Sequence, residues 1–171
     1  LAMWLHYAGI PVDKMELAGK ISKDPDPAAE KNGDILRWGD PQDGFVGDIT
    51  GEHKGYAVYA QPLTSLLDRY MPGRAVNLTG KSFDELLLQV KNNRPVVIWT
   101  TGDYRKPDRW EAWKHGSEMI RTPLDLHAVV LVGYEPGFVY INDPLAEKKA
   151  HKVKTDTLQQ SWKALGKQAV S

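Results

Sequence analysis

The chain has 171 residues, 42% of them hydrophobic, and can bury roughly 70% of its unfolded surface, so we expect residues 1–171 to form one domain. Lys plus Arg and Asp plus Glu are both 22, and a formal net charge of zero argues against a broad nucleic-acid or anionic-membrane surface. No apolar run approaches the length of about 18 residues that a membrane-spanning helix needs, and the absence of cysteine excludes disulfide bonds.

The first third of the chain predicts two short helices and a long loop. Apolar residues recur at helical spacing from Leu1 until Gly9 and Pro11 interrupt the pattern. Asp13 can cap a second helix. Between residues 22 and 61 the periodicity fades, and we predict an ordered surface loop there.

The middle of the chain alternates helix and strand signals. Residues 62–71 predict a helix with proline in its first turn, and residues 75–78 predict a short strand. Ser82 and Glu85 form the sequence pattern of a capping box, so we predict a helix from there to about residue 93. Residues 95–101 contain the β-branched and aromatic run of a buried strand.

The last third contains most of the strand signals. Residues 102–123 predict a second long loop, in which Trp110 and Trp113 either anchor the loop to the core or form a lid beside a cleft. We predict a further strand at residues 149–154 and a terminal helix around Trp162. Since helices come first and strands cluster late, the fold class is α+β.

Two apolar runs, residues 126–134 and 138–143, form the most informative feature of the chain. Glu135-Pro136-Gly137 joins them, His127 opens the first run, and Asp143 closes the second. If the strands pair antiparallel, the ends that carry these two residues meet. A histidine oriented by a carboxylate is typical of a general base that serves a nucleophile, so both residues are candidate catalytic residues.

The register of this hairpin decides which residue partners His127. A two-residue loop places Asp143 on the opposite face of the sheet and puts Asn142 on the face of His127, because strand side chains alternate. A three-residue loop places Asp143 on the face of His127. The local sequence leaves both registers open, so Asn142 is the alternative orienting residue.

No other motif predicts a cofactor or metal site. Gly80-Lys81-Ser82 lacks the earlier glycine of a phosphate-binding loop, because that position is Ala75. The acidic segment that begins at Asp40 fails the calcium-loop pattern at Gly44. The histidines other than His127 show no paired metal-ligand spacing. We therefore expect neither a cofactor nor a metal ion.

Segments along nearly the whole chain resemble the C39-like cysteine peptidases, which are bacterial relatives of papain. They include LAMWLHYAGIPVDKMELA, GFVGDITG, GYAVYAQPLTSLLDRY, GKSFDELLLQVKNNRPVVIWTT, SWKALGKQAV and, most specifically, HAVVLVGYEPGFVYINDP. The resemblance implies a papain-like α+β fold and favours Asp143 over Asn142. It also implies a catalytic cysteine a few residues before Leu1, so we expect the fold to be N-terminally incomplete. We expect the helix at Leu1 to be largely buried, with its N-terminal end toward His127.

The resemblance implies a cysteine peptidase whose partner is a peptide or protein substrate, at the surface of a bacterium or outside it. In that case the chain without its cysteine is inactive. Two alternatives use the same residues: a non-catalytic peptide-binding domain of the same fold, and an amidase or peptide-crosslinking enzyme.

Overall fold

The computed structural model describes residues 1–123 and 125–171, which fold into mixed helices and sheets as the α+β prediction requires. The helices are α1 (Ala2–Tyr7), α2 (Lys14–Lys20), α3 (Ala60–Tyr70), α4 (Phe83–Lys91) and α5 (Thr155–Ala164). The strands are β1 (Lys23–Asp24), β2 (Ala29–Lys31), β3 (Asp34–Arg37), β4 (Phe45–Val46), β5 (Val96–Thr100), β6 (Trp110–His115), β7 (Glu118–Pro123), β8 (His127–Glu135), β9 (Phe138–Asp143), β10 (Lys148–Lys154) and β11 (Ala169–Val170).

A five-stranded antiparallel sheet in the order β10-β9-β8-β5-β11 forms the centre of the fold. All five residues of β5 are buried, and their side chains alternate between the two faces. Val97 and Trp99 belong to the core cluster that residues of α1, α2 and α3 share. Val96 and Ile98 belong to the cluster formed with α4 and α5. Because helices cover both faces, this strand reads as a continuous apolar run.

Local signals predicted the beginnings of α2 and α4 correctly. The Asp13 carboxylate accepts a hydrogen bond from the Met15 amide at 2.7 Å and caps α2. Ser82 and Glu85 form the predicted capping box at the start of α4, with both reciprocal hydrogen bonds present. These interactions lie within three residues along the chain, which is why the sequence alone indicates them.

The two predicted long loops contain strands that the sequence analysis missed. Residues 102–123 include the antiparallel pair β6 and β7, and residues 22–61 include β1 to β4. A four-stranded sheet in the order β2-β3-β6-β7 results. Most of its residues remain exposed or half-buried, so the alternation of apolar and polar residues that marks a strand is weak.

Trp113 anchors this smaller sheet and is 1% exposed. Its ring centroid lies 5.6 Å from that of Trp38 and 5.4 Å from that of Tyr56, and its indole N–H donates to the Gly39 carbonyl at 2.8 Å. Arg121 lies over the half-buried Trp110 ring, 4.5 Å from its centroid. Trp113 is therefore a core residue of the smaller sheet, and the lid interpretation is wrong for it.

Two further predictions need correction. Residues 75–78 do not form a regular strand: the Val76 and Leu78 amides donate to carbonyls of Ser171 and Ala169, and only one isolated bridge is formed there in the described part of the chain. Helix α1 is not largely buried, because Trp4 and Leu5 face the core while Tyr7 is 61% exposed. Within the described ranges, no helix has the length and apolar character needed to cross a membrane.

Candidate active site

The register of the β8–β9 hairpin combines features of both predicted alternatives. Tyr134 lies opposite Val139, as a two-residue Pro136-Gly137 loop requires, and Gly137 has the positive φ of +80° that the third position of a type II turn needs. A β-bulge between Leu131 and Gly133 then shifts the pairing, so Val130 lies opposite Asn142. The bulge moves Asp143 to the face of the sheet that His127 occupies.

His127 and Asp143 meet at the adjoining ends of their strands. The His127 Nε2 atom lies 2.8 Å from Asp143 Oδ1, which confirms the predicted hydrogen-bond contact. The His127 side chain is 12% exposed and the Asp143 side chain only 2%. The neighbouring strand fixes the histidine further, because His127 pairs with Thr100 of β5. This is the geometry of a base held by a buried carboxylate.

Asp143 accepts hydrogen bonds at both carboxylate oxygens. The amides of Leu145 and Ala146 donate to Oδ1 at 2.9 and 3.1 Å, and the Tyr104 hydroxyl donates to Oδ2 at 2.5 Å. Burial raises the pKa of Asp143, but the hydrogen bonds from Tyr104, Ala146 and His127 outweigh it and hold the pKa at about 2. Asp143 is therefore ionised at neutral pH.

Because Asp143 is ionised, the tautomer of His127 can be assigned. A carboxylate only accepts hydrogen bonds, so the hydrogen between the two side chains belongs to Nε2 of His127. In the neutral ring the lone pair then lies on Nδ1. His127 can accept a proton at Nδ1 while Asp143 stabilises the resulting imidazolium.

Asn142 has a different task in the structure. Its Oδ1 atom accepts the Ala150 amide at 2.8 Å, next to a register shift in the pairing of β10 with β9. Ala150 has a positive φ of +49°, and the amide of Asn142 ties this irregular backbone to β9. The hydrogen-bond partner of His127 is Asp143, and Asn142 does not take that place.

The sequence analysis missed Tyr104, which contributes the hydrogen bond to Asp143 Oδ2. Tyr104 lies in the segment between β5 and β6, 39 residues before Asp143, and no local pattern links the two positions. A cleft of about 680 Å³ lies beside this segment, lined by Thr101, Asp125 and residues 103 and 105–109. The cleft therefore adjoins the end of β5 where Thr100 pairs with His127.

A second histidine–carboxylate cluster lies on the smaller sheet. His115 Nε2 is 3.7 Å from Asp24 Oδ2 and 3.6 Å from Asp43 Oδ2, while Nδ1 is 3.6 Å from Asp26 Oδ2 and 3.2 Å from the Trp38 carbonyl. Burial opposes protonation of His115, but the Trp38 carbonyl and the nearby carboxylates raise its pKa above the usual value. Asp24, Asp43 and His115 are the side chains that could hold a metal ion in the described residues; the sequence did not suggest this, because they are far apart along the chain.

Helix α1 packs beside the beginning of β5. The Trp4 indole N–H donates to the Pro95 carbonyl at 2.6 Å, just before β5 begins. Leu1 shares a surface depression with Val58, whose carbonyl accepts a hydrogen bond from the Trp99 indole at 2.9 Å. That the N-terminal end of α1 faces His127 stays a prediction.

The fold and this site define a papain-like α+β protein with a buried histidine–aspartate pair. The family model described as the Peptidase_C39 like family matches residues 1–170, and the chain belongs to that family. It is 35% identical over 170 residues to the uncharacterized protein YvpB of Bacillus subtilis (strain 168), a match that covers 99% of this chain and 65% of the relative. The chain thus spans slightly less than two thirds of the curated relative it matches. The crystal structure of a candidate C39-like peptidase from Bacillus anthracis is 41% identical, with a TM-score of 0.87, and the match covers 99% of this chain and 83% of that one.

Proposed function

We propose that the intact protein is a cysteine peptidase in which His127 is the general base, Asp143 orients it, and a cysteine before Leu1 is the nucleophile. The observation that carries the proposal is the 2.8 Å contact between His127 Nε2 and the nearly fully buried carboxylate of Asp143. A general base needs a fixed tautomer and a stabilised charged form, and a buried carboxylate provides both. An ion pair at the surface has no need of such burial.

In the proposed reaction, His127 Nδ1 accepts the proton of the cysteine thiol, which gives an imidazolium–thiolate ion pair, and the thiolate attacks the scissile carbonyl. The imidazolium then protonates the leaving amine, and water hydrolyses the thioester that has formed. Asp143 stays ionised throughout and balances the charge of the imidazolium. The pKa of about 2 supports this role, because a protonated Asp143 could not stabilise a cation.

The position of α1 supports an upstream nucleophile. Leu1 packs against the same core cluster as Leu126 and Ala128, the two residues that flank His127. A cysteine shortly before Leu1 would lie near the positive end of α1, which favours the thiolate.

The 680 Å³ cleft beside Tyr104 and Asp125 is the best candidate for part of the substrate site. Its walls carry both acidic and basic side chains, which can bind the polar backbone and the charged termini of a peptide. A peptide lying in this cleft would approach the end of the sheet that carries His127. We therefore propose peptide or protein substrates, with hydrolysis as the reaction.

The test compares the 171-residue chain with the longer protein that includes its upstream segment, both under reducing conditions against a mixed peptide library. We expect the longer protein to cleave peptides and to lose activity on treatment with iodoacetamide. The chain itself contains no cysteine, so it provides an internal control: the reagent has no thiol target in it. Turnover by the chain alone would exclude the thiol mechanism and require a serine or threonine nucleophile.

The absence of cysteine from all 171 residues favours one alternative, a non-catalytic domain that binds peptides in the same cleft. If the upstream segment lacks cysteine and the longer protein binds library peptides without cleaving them, this alternative replaces the peptidase. An amidase or peptide-crosslinking enzyme would use the same residues. Mass spectrometry of the products distinguishes it, because crosslinking joins two peptides and hydrolysis adds water to one.

A further inference from the structure

We propose that Tyr104 is a positioning residue for the reaction, because its hydroxyl holds the Asp143 carboxylate in the orientation that bonds His127. This inference rests on the proposed function and adds a third residue to the His127–Asp143 pair. Tyr104 donates to Asp143 Oδ2, whereas His127 donates to Oδ1. The two oxygens of one carboxylate are thus held from two sides, and rotation of Asp143 about its side-chain bonds would break both contacts.

The backbone at Tyr104 is shaped for this contact. Tyr104 has a φ of +65°, a conformation that is unfavourable for a bulky side chain and persists only where surrounding structure enforces it. Its amide donates to the Thr101 carbonyl at 3.1 Å, which closes a tight turn directly after β5. The interactions that the turn makes possible offset the strain at this position, and the hydroxyl contact with Asp143 is one of them.

A hydrogen-bond network connects this turn to helix α5. The Ser161 hydroxyl is fully buried and accepts from the Thr100 hydroxyl at 2.9 Å and from the Thr101 amide at 3.1 Å. The Tyr104 ring lies 5.8 Å from the His151 ring and packs against the core cluster of α4 and α5. Separate contacts therefore hold the turn, the Tyr104 ring and the Tyr104 hydroxyl, and accurate positioning of Asp143 requires such support.

The hydroxyl also has an electrostatic effect that simple packing lacks. A hydrogen bond donated to a carboxylate stabilises its charged form, and Tyr104 contributes the largest of the favourable interactions that lower the pKa of Asp143. Burial and the contact with Asp143 together raise the pKa of Tyr104. The phenol therefore keeps its hydrogen and remains a donor over the working range of a hydrolase. An ionised Asp143 in turn keeps the His127 hydrogen on Nε2 and the lone pair on Nδ1.

The test replaces Tyr104 by phenylalanine in the longer protein, which removes the hydroxyl and keeps the ring. We expect kcat to fall about tenfold while KM changes little, because a positioning contact acts on the reacting pair and not on substrate binding. The NMR titration midpoint of the Asp143 carboxyl carbon should rise by about one pH unit. The matched control is Tyr140→Phe, which removes a 2.9 Å tyrosine–carboxylate hydrogen bond to Glu135 elsewhere on the sheet and should change neither quantity.

The outcomes separate this inference from the proposed function. If the unmodified longer protein cleaves no peptide, the proposed peptidase function fails, but the Asp143 titration still tests the contact with Tyr104. If the unmodified protein is active and Tyr104→Phe retains its kcat and its Asp143 midpoint, Tyr104 only fills space and the inference is overturned. A general loss of folding would appear in thermal unfolding, and Tyr104→Leu, which removes both ring and hydroxyl, provides the reference for that effect.

Discussion

The five-stranded and the four-stranded sheet each carry a histidine that faces aspartate, and the two sites differ in geometry. On the five-stranded sheet, His127 contacts one carboxylate at 2.8 Å, and the Asp143 side chain is 2% exposed. On the four-stranded sheet, His115 faces three carboxylates at 3.6–3.7 Å, and the Asp43 side chain is 67% exposed. A distance above 3.5 Å is too long for a direct hydrogen bond. Only the first cluster has a single geometry with a fixed tautomer.

The difference follows from how each sheet is covered. Helices pack on both faces of the five-stranded sheet, so a charged group there must be fully hydrogen-bonded. The four-stranded sheet has a small core of four buried residues. Of the carboxylates near His115, those of Asp26 and Asp43 are partly in water, while the buried Asp24 accepts the amides of Asp26 and Asp40. None of them needs His115 as a hydrogen-bond donor, which is why similar residue types form a direct pair in one region and a looser cluster in the other.

The largest expected effect is on catalysis. His127→Ala in the longer protein should lower kcat/KM for peptide cleavage by about a thousandfold or more, because members of a catalytic unit depend on one another. His115→Ala should leave kcat/KM close to that of the unmodified protein. Steady-state kinetics on one library peptide measures both. Equal losses of kcat/KM in the two variants would contradict both the functional difference between the clusters and the proposed role of His127.

The next effect is on stability. Asp143→Ala leaves four donors without their acceptor, from His127, Tyr104, Leu145 and Ala146, and should lower the free energy of unfolding by about 2–4 kcal/mol. Asp43→Ala removes a mostly exposed carboxylate that has no direct hydrogen bond to His115 and should change the free energy of unfolding little. Urea denaturation at pH 7 measures both variants. A similarly small change in the free energy of unfolding for Asp143→Ala would mean that water readily replaces the lost carboxylate as the acceptor.

The smallest effect is a pair of opposite pH dependences. The folded-state pKa of Asp143 lies below its usual value of 3.8, at about 2, so its stabilising contribution is present above pH 4 and is lost as the pH falls toward 2. This contribution to the free energy of unfolding is about 2 kcal/mol, measured as the difference from Asp143→Asn in urea denaturation.

The folded-state pKa of His115 is raised above 6.5, so its contribution is present below pH 6.5 and is lost as the pH rises through the folded-state value. His115→Gln should therefore differ from the unmodified protein at pH 6 and converge with it at higher pH; the reverse trend would contradict this assignment.

Local sequence patterns predict the parts of the fold that depend on neighbours along the chain. The capping box at Ser82 and Glu85, the buried run of β5, and the hairpin that brings His127 and Asp143 to one end of the sheet all follow from local patterns. Each involves contacts between residues a few positions apart or a strong apolar period. These signals identify the two residues of the candidate site.

Which face of the sheet each of those residues occupies depends on long-range strand pairing. The bulge between Leu131 and Gly133 selects Asp143 over Asn142, and a local sequence cannot specify it, because a bulge depends on how β8 pairs with both of its neighbours. The contacts of Tyr104 with Asp143 and of His115 with Asp24 join residues that are 39 and 91 positions apart and leave no periodic trace. Local patterns do not indicate the strands β6 and β7 for the same reason. Their core consists of packed side chains that include Trp38, Tyr56 and Trp113, and these residues come together only in the folded chain.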